Sequence, residues 1–104
     1  MVNLVGKNVN NSRKHERNIA KMPLYMDIHR GVKGLTAAGA AEGHQKDLAV
    51  QGKHGVEYLH YWLNEADGTV FCLCQAPNKE AAEAVHREAH GGVADEIIEV
   101  KEGK

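Results

Sequence analysis

Two histidines near the carboxyl end of the chain have the spacing of a metal-binding pair. His86 and His90 are four residues apart in a segment whose alanines and valine recur at helical intervals, so both side chains share one face of the expected helix. Neutral imidazole is a common ligand for nickel, copper and zinc, and two imidazoles can hold one ion between them. The pair therefore predicts a transition-metal site on this helix.

Four further residues carry donor atoms at compatible places. His44 and Asp47 lie three residues apart on another predicted helix. Each candidate can also be explained without a metal. A His–Asp pair can simply lie on a helix surface, and a cysteine is more often a small buried residue than a ligand. Taken together, the candidates predict an imidazole-rich site, and no catalytic residues are assigned. The predicted metal ligands are His86, His90, His44, Asp47, His29 and Cys72.

The helix does not have the pattern of a zinc peptidase. In those enzymes a glutamate directly follows the first histidine of the pair or directly precedes the second. Here Glu88 is two residues from both His86 and His90, so it points away from their shared face. This spacing argues against a metallopeptidase.

Apolar alternation and turn residues divide the second part of the chain into six elements. Their order is strand, helix, strand, strand, helix, strand, with short connections, which predicts an α+β domain of the ferredoxin-like βαββαβ type. That fold has an antiparallel sheet with two helices on one face. The predicted strands are Leu24–Arg30, Val56–Leu63, Thr69–Ala76 and Ile97–Val100, and the helices run from the Thr36 cap to about Gln51 and from the Asn78 cap to Gly91.

Side-chain alternation predicts which face of the sheet the helices cover. The more apolar side chains of the first strand, which include Met26, are expected to face the helices. The same alternation in the neighbouring strand then places Phe71 on that face. Alternation also puts Tyr58, Trp62 and Cys72 on the opposite face. Because an aromatic face is rarely left in water, we predict a homodimer that forms through it.

Charge is unevenly distributed along the chain. The formal net charge is −1, yet residues 1–21 carry five Lys and Arg against one Glu, so the remainder is acidic. Residues 1–21 are predicted to be a polar, basic and flexible N-terminal extension, and residues 22–104 a single domain. An acidic domain is a poor partner for nucleic acid, which requires a basic surface.

The sequence also bears on location. It has no apolar run near 18 residues and no signal-peptide pattern, so no membrane association is expected. Cys72 and Cys74 would be about 7 Å apart on one side of a strand, too far for an undistorted disulfide. A reducing, cytoplasmic location is the corresponding prediction.

Several motifs of the sequence are similar to those of a known family. MPLYMDIHRG, DLAVQ-x-x-x-GV-x-Y-x-x-YW, DGTVFCL-x-x-AP and AVHREAHG-x-x-ADEI-x-x-V resemble small nickel-binding proteins with a ferredoxin-like fold, over about residues 22–100. The resemblance implies a homodimer that binds Ni²⁺, sequesters it, and has no established enzymatic reaction. All six candidate ligands lie at matching positions, and residues 1–21 lie outside the match.

Two functions of different class follow. The first is binding of a divalent transition metal, with nickel favoured and Zn²⁺ or Cu²⁺ as alternatives, for sequestration or homeostasis without catalysis. Its affinity should rise between about pH 5.5 and 7.5, where an ordinary imidazole loses its proton. The second is a small dimeric ferredoxin-like barrel enzyme that acts on an organic substrate in an aromatic cleft, with His29 or His60 as general base.

Overall fold

A computed structural model describes residues 22–104, and the predicted extension of residues 1–21 lies outside the described part. The element order confirms the βαββαβ prediction, with a short 3₁₀ turn at Gln51–His54 after the first helix. Neither helix in residues 22–104 has the length and apolar character needed to span a bilayer. The strands are β1 (Leu24–His29), β2 (Glu57–Asn64), β3 (Thr69–Gln75) and β4 (Glu96–Val100), and the helices are α1 (Ala37–Val50) and α2 (Lys79–Ala89).

The four strands form one antiparallel sheet in the order β2-β3-β1-β4. The two central strands, β1 and β3, place Asp27 opposite Cys72. Both helices pack on one face of this sheet. The fold is therefore α+β and ferredoxin-like, as predicted.

Each helix begins at the predicted cap. The Thr36 hydroxyl accepts a hydrogen bond from the amide of Gly39 at 3.0 Å, and the Asn78 side chain accepts one from the amide of Ala81 at 2.8 Å. These bonds satisfy donors that the first turn of a helix leaves free. The caps fix where α1 and α2 start.

The prediction of which sheet face the helices cover was wrong. The covered face carries Asp27 and Cys72, whereas Met26 and Phe71 lie on the other side. A buried carboxylate needs hydrogen-bond partners, and Asp27 has them in His86 of α2 and Tyr58 of β2. The buried apolar core on this side consists of Val56, Tyr58, Cys72, Cys74, Ala76, Ala82 and Val85.

A bulge in β2 separates two aromatic residues that were expected on one face. The register with β3 shifts between Tyr58 and His60, so Leu59 has no partner in the ladder. The extra residue reverses the alternation beyond it. Tyr58 is 4% exposed in the core, while Trp62 is 50% exposed on the opposite face, beside His60.

No helix in residues 22–104 covers this opposite face. Trp62 and Ile98 are exposed on it, and the neighbouring apolar side chains are only half-buried. It is thus an apolar sheet surface, as predicted for one face, although its residues are those expected to meet the helices. The half-buried residues are Leu24, Met26, Ile28, Phe71 and Leu73.

Candidate metal centre

His86 lies at the centre of a buried polar cluster beneath the helices. It is 1% exposed, and each ring nitrogen faces a carboxylate: Nδ1 is 2.9 Å from Asp47 Oδ1, and Nε2 is 2.7 Å from Asp27 Oδ2. Carboxylates accept hydrogen bonds, so both nitrogens donate. In the metal-free protein His86 is therefore an imidazolium held between α1 and β1.

These contacts change the acidity of the ring. Burial alone would lower the pKa of His86, but hydrogen bonds with Asp27, Asp47 and Cys72 outweigh it and raise the pKa to about 11. A metal ion binds only a deprotonated nitrogen. Any ion bound by His86 must accordingly displace a proton.

Tyr58 completes the cluster from β2. Its hydroxyl donates to Asp27 Oδ2 and lies 3.0 Å from His86 Nε2. Burial and the neighbouring Asp27 carboxylate raise the pKa of Tyr58, so the phenol stays protonated. The other oxygen of Asp27, Oδ1, is buried without a hydrogen-bond partner among residues 22–104.

Asp27 and Tyr58 were not among the predicted site residues. One signal was present, since Asp27 is a carboxylate in the middle of a strand that is otherwise mostly apolar. The inverted face assignment concealed it, because it placed Asp27 away from the helices.

A first group of three donors joins the two helices. His90 Nε2 lies 3.2 Å from Asp47 Oδ1, the same oxygen that meets His86 Nδ1. One donor atom from each of Asp47, His86 and His90 lies within 4.8 Å of the others. The amide of Gly92 donates to His90 Nδ1 at 3.0 Å, which leaves the proton of the neutral ring on Nε2.

A second group of three donors lies on the sheet side of the same histidine. His29, Cys72 and His86 also offer donor atoms within 4.8 Å of one another. Burial and the charge of His86 lower the pKa of His29, which keeps its ring neutral and able to bind a metal. Burial raises the pKa of Cys72, so its thiol is a poorer ligand until a metal displaces the proton.

The structure thus brings five of the six predicted ligands together and leaves one apart. His44 stacks at 4.8 Å on the ring of Tyr61 and belongs to neither group. It lines a cavity of about 380 Å³ into which both donor groups open. His60, the alternative general base, is on the opposite sheet face beside Trp62.

The loop between β1 and α1 forms one wall of this cavity and is tied to the β2–β3 hairpin. The Val32 amide donates to the Gly68 carbonyl at 2.9 Å. Gly68 has φ +68°, and a Cβ atom there would lie 3.0 Å from the Val32 carbonyl oxygen. Only glycine fits this close approach without strain.

The donor set fits a nickel ion. Nickel(II) accepts imidazole nitrogen and carboxylate oxygen, often in a square-planar or tetragonal arrangement. Neighbouring ligands at right angles, each about 2.1 Å from an ion, are about 3 Å apart. The 2.9 and 3.2 Å separations of His86 and His90 from Asp47 Oδ1 match this spacing.

Comparison with known proteins agrees with the fold and the donor chemistry. The profile of a family described as "Nickel responsive protein SCO4226-like" matches residues 25–100. The crystal structure of SCO4226 from Streptomyces coelicolor A3(2) superposes with a TM-score of 0.73 at 41% identity, and the match covers 78% of this chain and 99% of that chain. A search of curated proteins finds no match. Because the family profile matches most of the chain, the protein belongs to the SCO4226-like family of nickel-responsive proteins.

Proposed function

We propose that the protein binds Ni²⁺ at the group formed by Asp47, His86 and His90, and holds the ion for sequestration or homeostasis without catalysis. The observation that carries this proposal is the shared oxygen Asp47 Oδ1, which two imidazole nitrogens approach at 2.9 and 3.2 Å. A carboxylate and two imidazoles from two helices suit nickel(II) in both chemistry and spacing. The family's responsiveness to nickel supports the choice of metal.

Metal binding at this group requires two proton shifts. His86 must lose one proton, and His90 must move its remaining proton from Nε2 to Nδ1, where it now accepts from Gly92. Because both shifts cost free energy, the group favours an ion that binds nitrogen strongly. Zn²⁺ and Cu²⁺ also do so, and Cu²⁺ stands above Ni²⁺ in affinity for most sites, so competition titrations are needed to rank the three ions.

The test is a Ni²⁺ titration of four proteins by calorimetry, purified without an affinity tag. His90→Ala should weaken binding at least about tenfold, equal to about 1.4 kcal/mol. Cys72→Ser should weaken it less. His60→Ala is the matched control, because His60 is exposed on the far sheet face, and its affinity should equal that of the wild type.

Two results would contradict the assignment. Loss of binding in Cys72→Ser with retention in His90→Ala would move the ion to the group of His29, Cys72 and His86. Equal weakening in His60→Ala would show a non-specific histidine effect. His90 is a better probe than His86, because removing His86 leaves two buried carboxylates without their cation.

We also propose that the protein is a homodimer through the uncovered sheet face. That face is apolar, with Trp62 and Ile98 exposed on it. A patch of this kind is self-complementary across a twofold axis, and a second copy of the chain is an occupant that is always available.

One feature of the cavity supports the alternative hypothesis that the protein is an enzyme. His29, with its lowered pKa, lines the cavity of about 380 Å³ and would serve as the general base for an organic substrate. His60 is separated from the cavity by the sheet and does not share this role. Metal content of the untagged protein distinguishes the hypotheses, since a metal-independent enzyme would be isolated without stoichiometric nickel.

A further inference from the structure

The cavity beside the metal centre has the size of a small-molecule site. Its volume of about 380 Å³ is in the range of about 300–1,000 Å³ that is typical of such sites. The residues of both donor groups line it, whereas Asp27 and Tyr58 do not. An ion held by either group would therefore face this space.

Three protein donors do not complete the coordination of a nickel ion. Nickel(II) takes at least four ligands, and each group in residues 22–104 offers three. Any further ligand to an ion held there would have to come from the side that is open, which is the cavity. Water can fill them, but most of the cavity wall offers water few hydrogen-bond partners.

The rest of the wall is suited to a molecule with an apolar body and a negative charge. Val32, Leu35, Ala40 and Val70 line it with apolar side chains. Outside the donor groups its charged lining residues are Lys33, from the β1–α1 loop, and Glu42 and Lys46, which form an ion pair with each other. A ligand that meets the metal at one end would thus lay its body against the apolar side chains. The Lys33 ammonium would attract a carboxylate.

We propose that the cavity binds an α-amino acid or α-hydroxy acid with an apolar side chain as a co-ligand of the metal. The carboxylate and the α-substituent would occupy two neighbouring positions on the ion in a five-membered chelate ring. The side chain would lie against Val32, Leu35 and Val70. This inference rests on the proposed nickel site and adds that the metal is held together with a small organic chelator.

The test compares three probes on the Ni²⁺-loaded wild type by calorimetry, with bound nickel measured after dialysis. L-leucine has both the chelating group and the apolar body, glycine lacks the body, and 4-methylpentanoate lacks the α-amino group. L-leucine should bind at least about tenfold more tightly than glycine or 4-methylpentanoate, because it alone combines chelation with burial of a side chain. The metal-free protein should bind L-leucine at least tenfold more weakly.

Variants locate the site. Ala40→Phe fills the cavity and should weaken L-leucine binding about tenfold or more while Ni²⁺ affinity stays within about twofold. Ala41→Phe is the matched control, since Ala41 is the next residue of α1, is exposed and lies outside the cavity lining. Lys33→Gln should weaken L-leucine binding severalfold, and Lys79→Gln should not.

Results that overturn the co-ligand proposal can be distinguished from results that overturn the nickel site itself. Equal affinities for L-leucine and glycine on the nickel-loaded protein, or equal effects of Ala40→Phe and Ala41→Phe, would overturn the co-ligand alone. The same conclusion would follow if L-leucine removed the nickel rather than binding beside it. Absence of Ni²⁺ binding without any amino acid would overturn both proposals.

Discussion

At the scale of single residues, His86 links the fold to the proposed metal site. As an imidazolium it neutralises two carboxylates, Asp27 and Asp47, which would otherwise be buried without a cation. By linkage, its raised pKa stabilises the metal-free protein below pH 6.5, and this contribution is lost as the pH rises through about 11. Nickel would take over the role of the displaced proton.

This coupling makes a prediction about pH. An ordinary imidazole pKa of about 6.5 would end the rise in Ni²⁺ affinity near pH 7.5. Because the pKa of His86 is about 11, affinity should continue to rise above pH 7.5, by up to about tenfold per unit, with about one proton released per ion from this residue. Calorimetry at pH 6 to 8.5, in buffers of different ionisation enthalpy, measures both. A plateau above pH 7.5 would mean that His86 is not a ligand.

The candidate residues were predictable because their donor chemistry is visible in the sequence. The four-residue spacing of His86 and His90 needs no knowledge of the sheet, since the helix alone fixes their proximity. The partners Asp27 and Tyr58 were not predictable in the same way. Their role depends on which sheet face meets the helices, and the more apolar set of β1, which contains Met26, lies on the uncovered face, so alternation favoured the wrong face.

At the scale of elements, the bulge in β2 decides which aromatic residues join the site. Without the extra residue at Leu59, the alternation would keep Tyr58 and Trp62 on one face, as the sequence pattern suggested. A bulge of this kind carries no glycine or proline signal here. The element order and helix caps were predictable from turn residues and periodicity, whereas the register was not.

The cap of α2 gives a prediction at this scale. Asn78→Ala removes the hydrogen bond to the amide of Ala81 and should lower the free energy of unfolding by about 1 kcal/mol. Urea unfolding of the metal-free protein measures the change. Lys79→Ala, one residue along, is the control and should stay within about 0.5 kcal/mol. Equal effects of the two substitutions would indicate that the cap contributes nothing.

At the scale of the whole molecule, the uncovered sheet face and the metal centre lie on opposite sides of the sheet. A homodimer through that face would leave both cavities open to solvent. The family resemblance indicated a dimer, and the exposed apolar face supports it. The residues of the uncovered face differ from those predicted for the interface, because Tyr58 is in the core.

Trp62→Glu should convert the proposed dimer to monomer while the fold is retained, since the side chain is half-exposed within one chain. Sedimentation at micromolar concentration distinguishes the two states, and circular dichroism checks the fold. Val93→Glu is the control, because Val93 is also exposed but lies between α2 and β4, outside the sheet. A monomeric wild type at this concentration would refute the dimer.

The hydrogen bond between Val32 and Gly68 has a kinetic consequence. It holds the loop that walls the cavity against the β2–β3 hairpin, at a contact too close for any residue but glycine. Gly68→Ala should push the loop outward and accelerate both entry and escape of Ni²⁺. Since the loop supplies no donor to either group, the two rates should rise by the same factor, and stopped-flow exchange would show faster turnover at an unchanged equilibrium.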